Sequence, residues 1–280
     1  MEKLSRFREI QKEEGIGSAF RSTFHFFINY RNYDPLNYLI YLKSKSDIET
    51  RAQGDAEIDD ILDTVLEIHP GSPPYELRAG QLRTELEQFI KFIDGEDPKT
   101  VLEIGTLRGG SLYCWIKGLS HVKKVVSVDY PSYRPLIRNR KKNIWRNFSK
   151  EVDLNVVWGN SHHPNTYENT ANLIDDGVDF LFIDGDHTYE GVKNDFEMYS
   201  PLVVDGGIVA FHDIIPHAKS ETEKHSILSN DESIEEKHVT INTSEWGVHQ
   251  YWHELKSRYE TEQFISHPNQ RGKGIGVIKI

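Results

Sequence analysis

Carboxylate and imidazole side chains gather at two short segments in the second half of the chain. They are DGDH at residues 184–187 and HD at residues 212–213. Such groups can hold a divalent cation, and they can also accept a proton while a substrate reacts. Asp-Gly is also a favoured turn pair, but the following sequence YEGVKNDFEMY predicts a helix rather than the second strand of a hairpin. We therefore favour a functional loop around Asp184, while for His187 a functional and a structural role both stay open.

A glycine-rich segment, EIGTLRGGS, occupies residues 103–111. Glycine permits a tight turn with close backbone approach, and the start of the following helix offers free N–H groups to an anion. The spacing differs from the G-x-G-x-x-G of dinucleotide-binding proteins, and the G-K-[ST] ending of a phosphate-cradling loop is missing. The segment indicates a ligand-binding turn and disfavours both an NAD enzyme and an NTPase.

Two further polar positions follow apolar runs of the sequence. Asp129 ends one run, where an acidic residue can accept hydrogen bonds from both ribose hydroxyls of an adenosyl group. A turn aspartate is the equal alternative. Asn160 and Ser161 follow the next run and suit the edge of an adenine, whereas His162 and His163 are interpreted as a solvated loop pair.

Short apolar runs alternate with helical segments between residues 99 and 213, which predicts βαβ units in an open sheet. Their continuous β-branched and aromatic character is typical of parallel strands buried on both faces. Ligands bind beyond the carboxyl ends of such strands, where the polar residues above are found. The predicted strands cover residues 101–104, 125–128, 154–157, 178–183 and 208–211, with a final pair near 264–265 and 275–280.

The remaining segments differ in texture. Amphipathic patterns near residues 58–66 and 82–93 predict a helical cap over residues 1–95, followed by the main domain at 96–280. Within that domain, the polar residues 214–244 are predicted to form a surface insertion.

Composition excludes several classes of protein. The 280 residues carry a formal net charge of −11, which disfavours a partner that is bound through its phosphates, such as nucleic acid. No run approaches the roughly 20 apolar residues of a membrane helix, so we expect no stable membrane insertion. A single cysteine and the lack of a signal peptide favour the cytoplasm. A homo-oligomer stays open.

The segments VLEIGTLRGGS, SVDYP, WGNS, FLFIDGDHTYEGVKNDF and GGIVAFHDI, in this order, resemble class I S-adenosylmethionine-dependent methyltransferases. The form E-x-G-x-x-x-G-x-S is similar to the small-molecule O-methyltransferases, with catechol O-methyltransferase more distant. DGDH and FHD look more like the branch that acts on sugars and antibiotics, including macrocin O-methyltransferase and cephalosporin hydroxylase-like proteins. The resemblance implies a Rossmann-like, doubly wound, mostly parallel sheet with helices on both faces.

The resemblance also implies a pocket for S-adenosylmethionine. Gly105, Gly109 and Ser111 would pass close to its methionine part, with Glu103 beneath. Asp129 would hold the ribose, and the residues after the third strand would lie near the adenine. The complete set that we assign to the cofactor is Glu103, Gly105, Thr106, Gly109, Gly110, Ser111, Asp129, Asn160, Ser161 and Asp184.

In metal-dependent members of the family, an acidic residue after the fourth strand and a polar pair after the fifth bind a divalent cation, Mg²⁺ or Mn²⁺. The matching positions are Asp184, His212 and Asp213. His212 departs from the usual oxygen ligands, because imidazole suits softer metals than Mg²⁺. A site for Mn²⁺, Fe²⁺ or Zn²⁺, a weak Mg²⁺ site and a site without metal all stay open.

The implied reaction transfers a methyl group to a hydroxyl of a small molecule, with a sugar as one candidate acceptor. An alcohol is a poor nucleophile near neutral pH, so the protein must accept its proton. The sugar-modifying relatives favour Asp186 as this base. His187 is its rival, since an ordinary imidazole titrates near neutrality.

Three other functions remain as alternatives. The acidic and imidazole groups would also suit a metal-dependent hydrolase. An NAD-linked oxidoreductase is disfavoured by the glycine spacing, and a protein that binds S-adenosylmethionine without catalysing transfer is the third.

Overall fold

The computed structural model describes residues 34–216 and 247–280. The helices of these ranges are α1 Asp34–Ala52, α2 Ile58–Asp63, α3 Arg83–Asp94, α4 Gly110–Gly118, α5 Pro135–Trp145, α6 Pro164–Ala171, α7 Tyr189–Tyr199 and α8 Val248–Lys256. A π-helical turn at Thr64–Ile68 and a 3₁₀ turn at Ser200–Leu202 complete the helical segments.

Seven strands form one sheet in the order β3-β2-β1-β4-β5-β7-β6. They are β1 Thr100–Ile104, β2 Lys124–Asp129, β3 Asp153–Trp158, β4 Val178–Ile183, β5 Val203–His212, β6 Thr261–Phe264 and β7 Ile275–Lys279. The first five strands are parallel, and β7 inserts antiparallel between β5 and β6. The predicted fold class and the predicted strands, including the final pair, are confirmed.

Side-chain alternation divides the core between the two faces of the sheet. Val101 and Phe180 belong to one hydrophobic cluster, whereas their neighbours Leu102 and Leu181 belong to a second. Because successive residues of a strand point to opposite faces, both faces must be covered by helices. The apolar runs are continuous for this reason.

Helices α1 to α3 pack on the first of these faces. Ile48, Ile61 and Phe89, one from each helix, lie in the same cluster as Phe180 of β4. The rings of Phe89 and Phe180 meet edge to face with centroids 5.7 Å apart. The predicted helices are therefore present over residues 34–94, and they share one core with the sheet. A domain boundary near residue 95 stays a prediction.

The helix predicted near residues 58–66 ends differently from its pattern. Helix α2 stops at Asp63, the chain continues as the π-helical turn, and His69 follows with a left-handed φ of 49°. Residues 217–244 of the predicted surface insertion, like residues 1–33, lie outside the described residues. Among the described helices, none has the length and apolar character needed to cross a membrane.

Candidate active site

The glycine turn, residues 105–110, connects β1 to α4 at the carboxyl edge of the sheet. Gly105 has a φ of 100°, and a β-carbon at this position would overlap the carbonyl oxygen of Asp184. Its N–H donates to the carbonyl of Val128 at 2.8 Å. The ends of β1, β2 and β4 therefore meet around this backbone, and only glycine fits there.

The far end of the turn is equally crowded. A β-carbon on Gly109, whose φ is 80°, would overlap the indole of Trp145, and one on Gly110 would overlap the backbone of Arg78 and Ala79. The start of α4 is thus enclosed by α5 on one side and by the segment before α3 on the other. Such an N-terminus presents unpaired N–H groups to a ligand.

Glu103 lies fully buried beneath the turn. Its carboxylate accepts hydrogen bonds from Ser111 Oγ at 2.6 Å, Trp115 Nε1 at 3.0 Å and Ser127 Oγ at 2.8 Å. Burial raises the pKa of Glu103 to about 7, although these donors oppose the rise. Thr106 is also buried and contacts the Ser127 hydroxyl. These groups join β1, β2 and α4 into one support for the turn.

Asp129 lies across from the turn at the end of β2. The backbone groups of Leu107, Tyr130 and Thr106 are close enough to favour its charged form. Burial raises the pKa of Asp129, against the opposing charge of Lys141 and these backbone groups. The structure therefore brings the turn and Asp129 together.

Lys141 of α5 is a charged partner of Asp129 that the sequence analysis missed. Its side chain is 1% exposed, its ammonium donates to the carbonyl of Leu107, and it lies 4.3 Å from the ring centroid of Tyr133. Burial lowers the pKa of Lys141 to about 8. The available signal was its position on the apolar stripe of α5, between Ile137 and Ile144, where a lysine needs a partner.

Asn160 and Ser161 follow β3 beside the end of β2, since Gly159 N–H donates to the Asp129 carbonyl at 3.0 Å. The Asn160 side chain accepts from the His162 N–H at 3.0 Å, and the Tyr199 hydroxyl donates to the Ser161 carbonyl at 2.9 Å. Both residues therefore lie at the same edge as the glycine turn.

The acid–histidine cluster, composed of Asp184, His187, His212 and Asp213, lies at the ends of β4 and β5. Asp184 Oδ1 is 3.0 Å from His212 Nδ1, and Asp213 Oδ2 is 3.2 Å from His187 Nδ1. Burial lowers the pKa of each histidine, but the charges of Asp184 and Asp213 outweigh it, so that both pKa values are raised. The structure thus brings the three predicted metal ligands and one of the two candidate bases together.

Ligand atoms of Asp184, His212 and Asp213 lie within 4.8 Å of one another. His212 and Asp213 are almost fully buried, and His212 Nε2 has no hydrogen-bond partner among the described residues. Two carboxylates and an imidazole fit a divalent cation that accepts nitrogen as well as oxygen.

Gln81, which the sequence analysis also missed, reaches this cluster from the segment before α3. Its amide Nε2 donates to Asp184 Oδ2 at 2.9 Å, and its Oε1 accepts from Gly80 N–H at 3.1 Å. No local pattern marks a residue whose partner is 103 positions away.

The two candidate bases have different surroundings. Asp186 is exposed, and its carboxylate accepts the Thr188 N–H at 2.9 Å and lies against Gly191 at the start of α7. His187 instead belongs to the acid–histidine cluster. The interpretation of His162 as solvated is wrong, because its Nε2 lies 3.2 Å from the fully buried carboxylate of Asp195.

The chain is similar to known methyltransferases in sequence pattern and in fold. Residues 102–214, fewer than half of the chain, match the family model described as a methyltransferase domain. A Staphylococcus aureus structure provisionally described as a caffeoyl-CoA O-methyltransferase aligns with a TM-score of 0.50 and 20% identity, over 85% of this chain and 99% of that one. The chain thus has a Rossmann-like methyltransferase fold.

Two proteins are similar in sequence. An uncharacterized protein of Acanthamoeba polyphaga mimivirus is 35% identical over 125 residues, which are 42% of this chain and 52% of that protein. An uncharacterized protein of Sinorhizobium fredii is 24% identical over 181 residues, which are 64% of this chain and 17% of that protein. The matched region thus spans about half the length of the first relative and a smaller part of the second.

Proposed function

We propose that this protein is an S-adenosylmethionine-dependent methyltransferase that methylates a hydroxyl oxygen of a small molecule, with sugars as the favoured acceptor class. One observation carries the proposal. The backbone of Gly105 rests directly against Asp184 and opposite Asp129, within the segment that matches a methyltransferase domain. A nucleoside held at Asp129 would extend along the glycine turn toward the acid–histidine cluster.

The residues on the cofactor side are suited to binding and orientation. Asp129 offers carboxylate oxygens to the ribose, the glycine turn permits close approach of the methionine part, and Asn160 with Ser161 borders the adenine. Glu103 acts from below by holding the turn. When bound, S-adenosylmethionine supplies an electrophilic methyl group on its sulfonium.

His187 is the base that the geometry favours. Its Nδ1 faces the nearly buried Asp213 carboxylate, which can orient the ring and stabilise it when it accepts the acceptor proton. The Asp186 carboxylate instead accepts the Thr188 N–H at the start of α7, and among the described residues it has no buried acidic partner of the kind that Asp213 provides for His187.

Asp184, His212 and Asp213 would hold a divalent metal, with Mn²⁺ suited better than Mg²⁺ by the imidazole. Such an ion would supply Lewis acidity toward the acceptor hydroxyl. A cytoplasmic location belongs to the same proposal and is supported by the single, buried Cys114.

Calorimetry with S-adenosylhomocysteine tests the cofactor assignment. Asp129→Ala should weaken binding by roughly 1–3 kcal/mol, the scale for leaving a buried polar group without its partner. Asp205→Ala, which removes an exposed carboxylate from β5, should leave the affinity unchanged. Equal affinities of wild type and Asp129→Ala would remove Asp129 from the ribose role, and the lack of any binding to wild type would reject the function.

A further inference from the structure

A groove of about 630 Å³ adjoins the candidate active site. It lies between the segment before α3 and the glycine turn, and the loop between β6 and β7 closes one side. We call it the basic groove because its lining includes Arg78, Arg83, Arg108 and Lys273, together with His69 and Gln81. A volume of this size suits a small organic ligand.

Two of these four cations are already neutralised by the protein. Arg83 pairs with Asp63 at 2.5 Å and with Asp59 and Glu67, each at 3.0 Å. Arg108 pairs with Glu76. These two arginines therefore build the walls of the groove and offer little uncompensated charge.

Arg78 and Lys273 are different. Within residues 34–216 and 247–280, neither side chain forms an ion pair or donates a hydrogen bond to an acidic group. Arg78 is exposed and Lys273 is partly buried. Two uncompensated cations facing one groove are notable in a chain with a net charge of −11, because acidic partners are abundant elsewhere on its surface.

The groove leads to the reacting end of the site. Lys273 Nζ lies 4.0 Å from the position that a β-carbon on Gly80 would occupy. Gly80 and Gln81 share a hydrogen bond, and the Gln81 amide donates to Asp184. A molecule bound by Lys273 would therefore reach Asp184 along Gln81.

Backbone strain is concentrated around the same groove. Among the described residues, five non-glycine residues have a positive φ, and three of them, His69, Leu107 and Lys273, line it. A fourth, Asp213, belongs to the acid–histidine cluster. Residues in this conformation cost free energy and tend to gather where a ligand is held.

We propose that Arg78 and Lys273 bind an anionic group, a phosphate or a carboxylate, of the acceptor whose hydroxyl is methylated next to Asp184. This inference rests on the proposed function and narrows its substrate class to anionic small molecules. Arginine can bind such oxyanions through two parallel N–H donors, and lysine adds a compact charge. The carboxylate of the cofactor's methionine part is the other source of the same chemistry, and the experiment separates the two.

Inorganic pyrophosphate serves as the probe, titrated by calorimetry at low ionic strength with and without saturating S-adenosylhomocysteine. Pyrophosphate should bind wild type equally in both conditions. The double variant Arg78→Gln/Lys273→Gln should bind it at least roughly tenfold more weakly, as expected when two charge-assisted contacts are lost. Lys123→Gln/Lys150→Gln removes the same charge from exposed positions and should bind pyrophosphate as wild type does.

Gly80→Asp is a second variant that removes no existing contact. A side chain fits at Gly80, where only Lys273 Nζ comes within 4 Å, and the new carboxylate would neutralise that ammonium. It should weaken pyrophosphate binding without lowering the affinity for S-adenosylhomocysteine.

Three outcomes overturn the inference. They are equal pyrophosphate binding by all variants, no binding to wild type, and displacement of pyrophosphate by S-adenosylhomocysteine with weaker cofactor binding in the Arg78→Gln/Lys273→Gln variant. The last would assign the two cations to the cofactor. Because pyrophosphate is also titrated alone, failure of the groove is distinguishable from failure of cofactor binding.

Discussion

Around the glycine turn, polar groups are satisfied and the packing is tight, whereas in the basic groove two of the four cations are uncompensated and three lining residues have a positive φ. Glu103 has three side-chain donors within 3.0 Å, and Gly105 has no room for a β-carbon. Across the site, Arg78 and Lys273 have no ion-pair partner among the described residues, and His212 Nε2 is unpaired. The proposed cofactor would require one fixed backbone shape, whereas the proposed metal and anionic acceptor would supply partners for the unpaired groups. The two sides therefore differ in what completes them.

The largest expected effect concerns the tight side. Gly105→Ala should lower the free energy of unfolding by roughly 3–5 kcal/mol, because the new methyl overlaps Asp184 and the residue keeps a positive φ. Gly206→Ala is the matched control, since Gly206 also has a positive φ but nothing within 4 Å of a β-carbon. It should cost only about 1–2 kcal/mol. Urea unfolding measures both, and equal costs would contradict close packing at the turn.

The second prediction uses the buried carboxyl of the same side. The pKa of Glu103 is raised from 4.5 to about 7, so the folded protein keeps a proton that the unfolded chain releases. The contribution of this carboxyl to the free energy of unfolding is fully present below pH 4.5 and is lost as the pH rises through about 7.

Glu103→Gln should remove this loss, so that the stability of wild type declines relative to that of the variant by roughly 3 kcal/mol between pH 4.5 and 7. Unfolding free energies at several pH values give the difference. Glu262 is exposed, so the unfolding free energy of Glu262→Gln should change with pH in the same way as that of wild type. If the stability of Glu103→Gln also followed the same pH dependence as wild type, the raised pKa of the Glu103 carboxyl would be contradicted.

The smallest effect tests the incomplete side. Asp184→Ala should weaken Mn²⁺ binding by roughly tenfold or more, because it removes a proposed metal ligand. Even the loss of a residue that only hydrogen-bonds to a ligand typically lowers metal affinity by about that factor. Asp186 lies in the same loop, but its carboxylate accepts a backbone N–H and is not a proposed metal ligand. The Asp186→Asn variant should therefore bind Mn²⁺ as wild type does. Unchanged affinity in Asp184→Ala would exclude this carboxylate as a metal ligand.

Much of the fold was predictable because burial on both faces of a parallel sheet leaves continuous apolar runs such as residues 178–183. The polar positions after these runs followed from the same logic, since the carboxyl ends of parallel strands share an edge. Asp129, Asp184, His212 and Asp213 could thus be assigned to one edge of the sheet from the sequence alone.

Contacts between distant segments could not be predicted in this way. Gln81 reaches Asp184 across 103 positions, and Asp195 of α7 meets His162 after β3. Neither pairing leaves a period or a motif in the sequence, because each depends on how helices lie over the sheet.

Local chemistry along the chain was enough to determine the strands, the glycine turn and the types of side chain at the strand ends. Those features depend on neighbours within a few residues and on the alternation of a buried strand. Packing between separate segments alone decided that Lys141 supports Asp129, and that Arg78 and Lys273 meet in one groove. Side chains far apart in sequence acquire a common surface only when the helices close over the sheet.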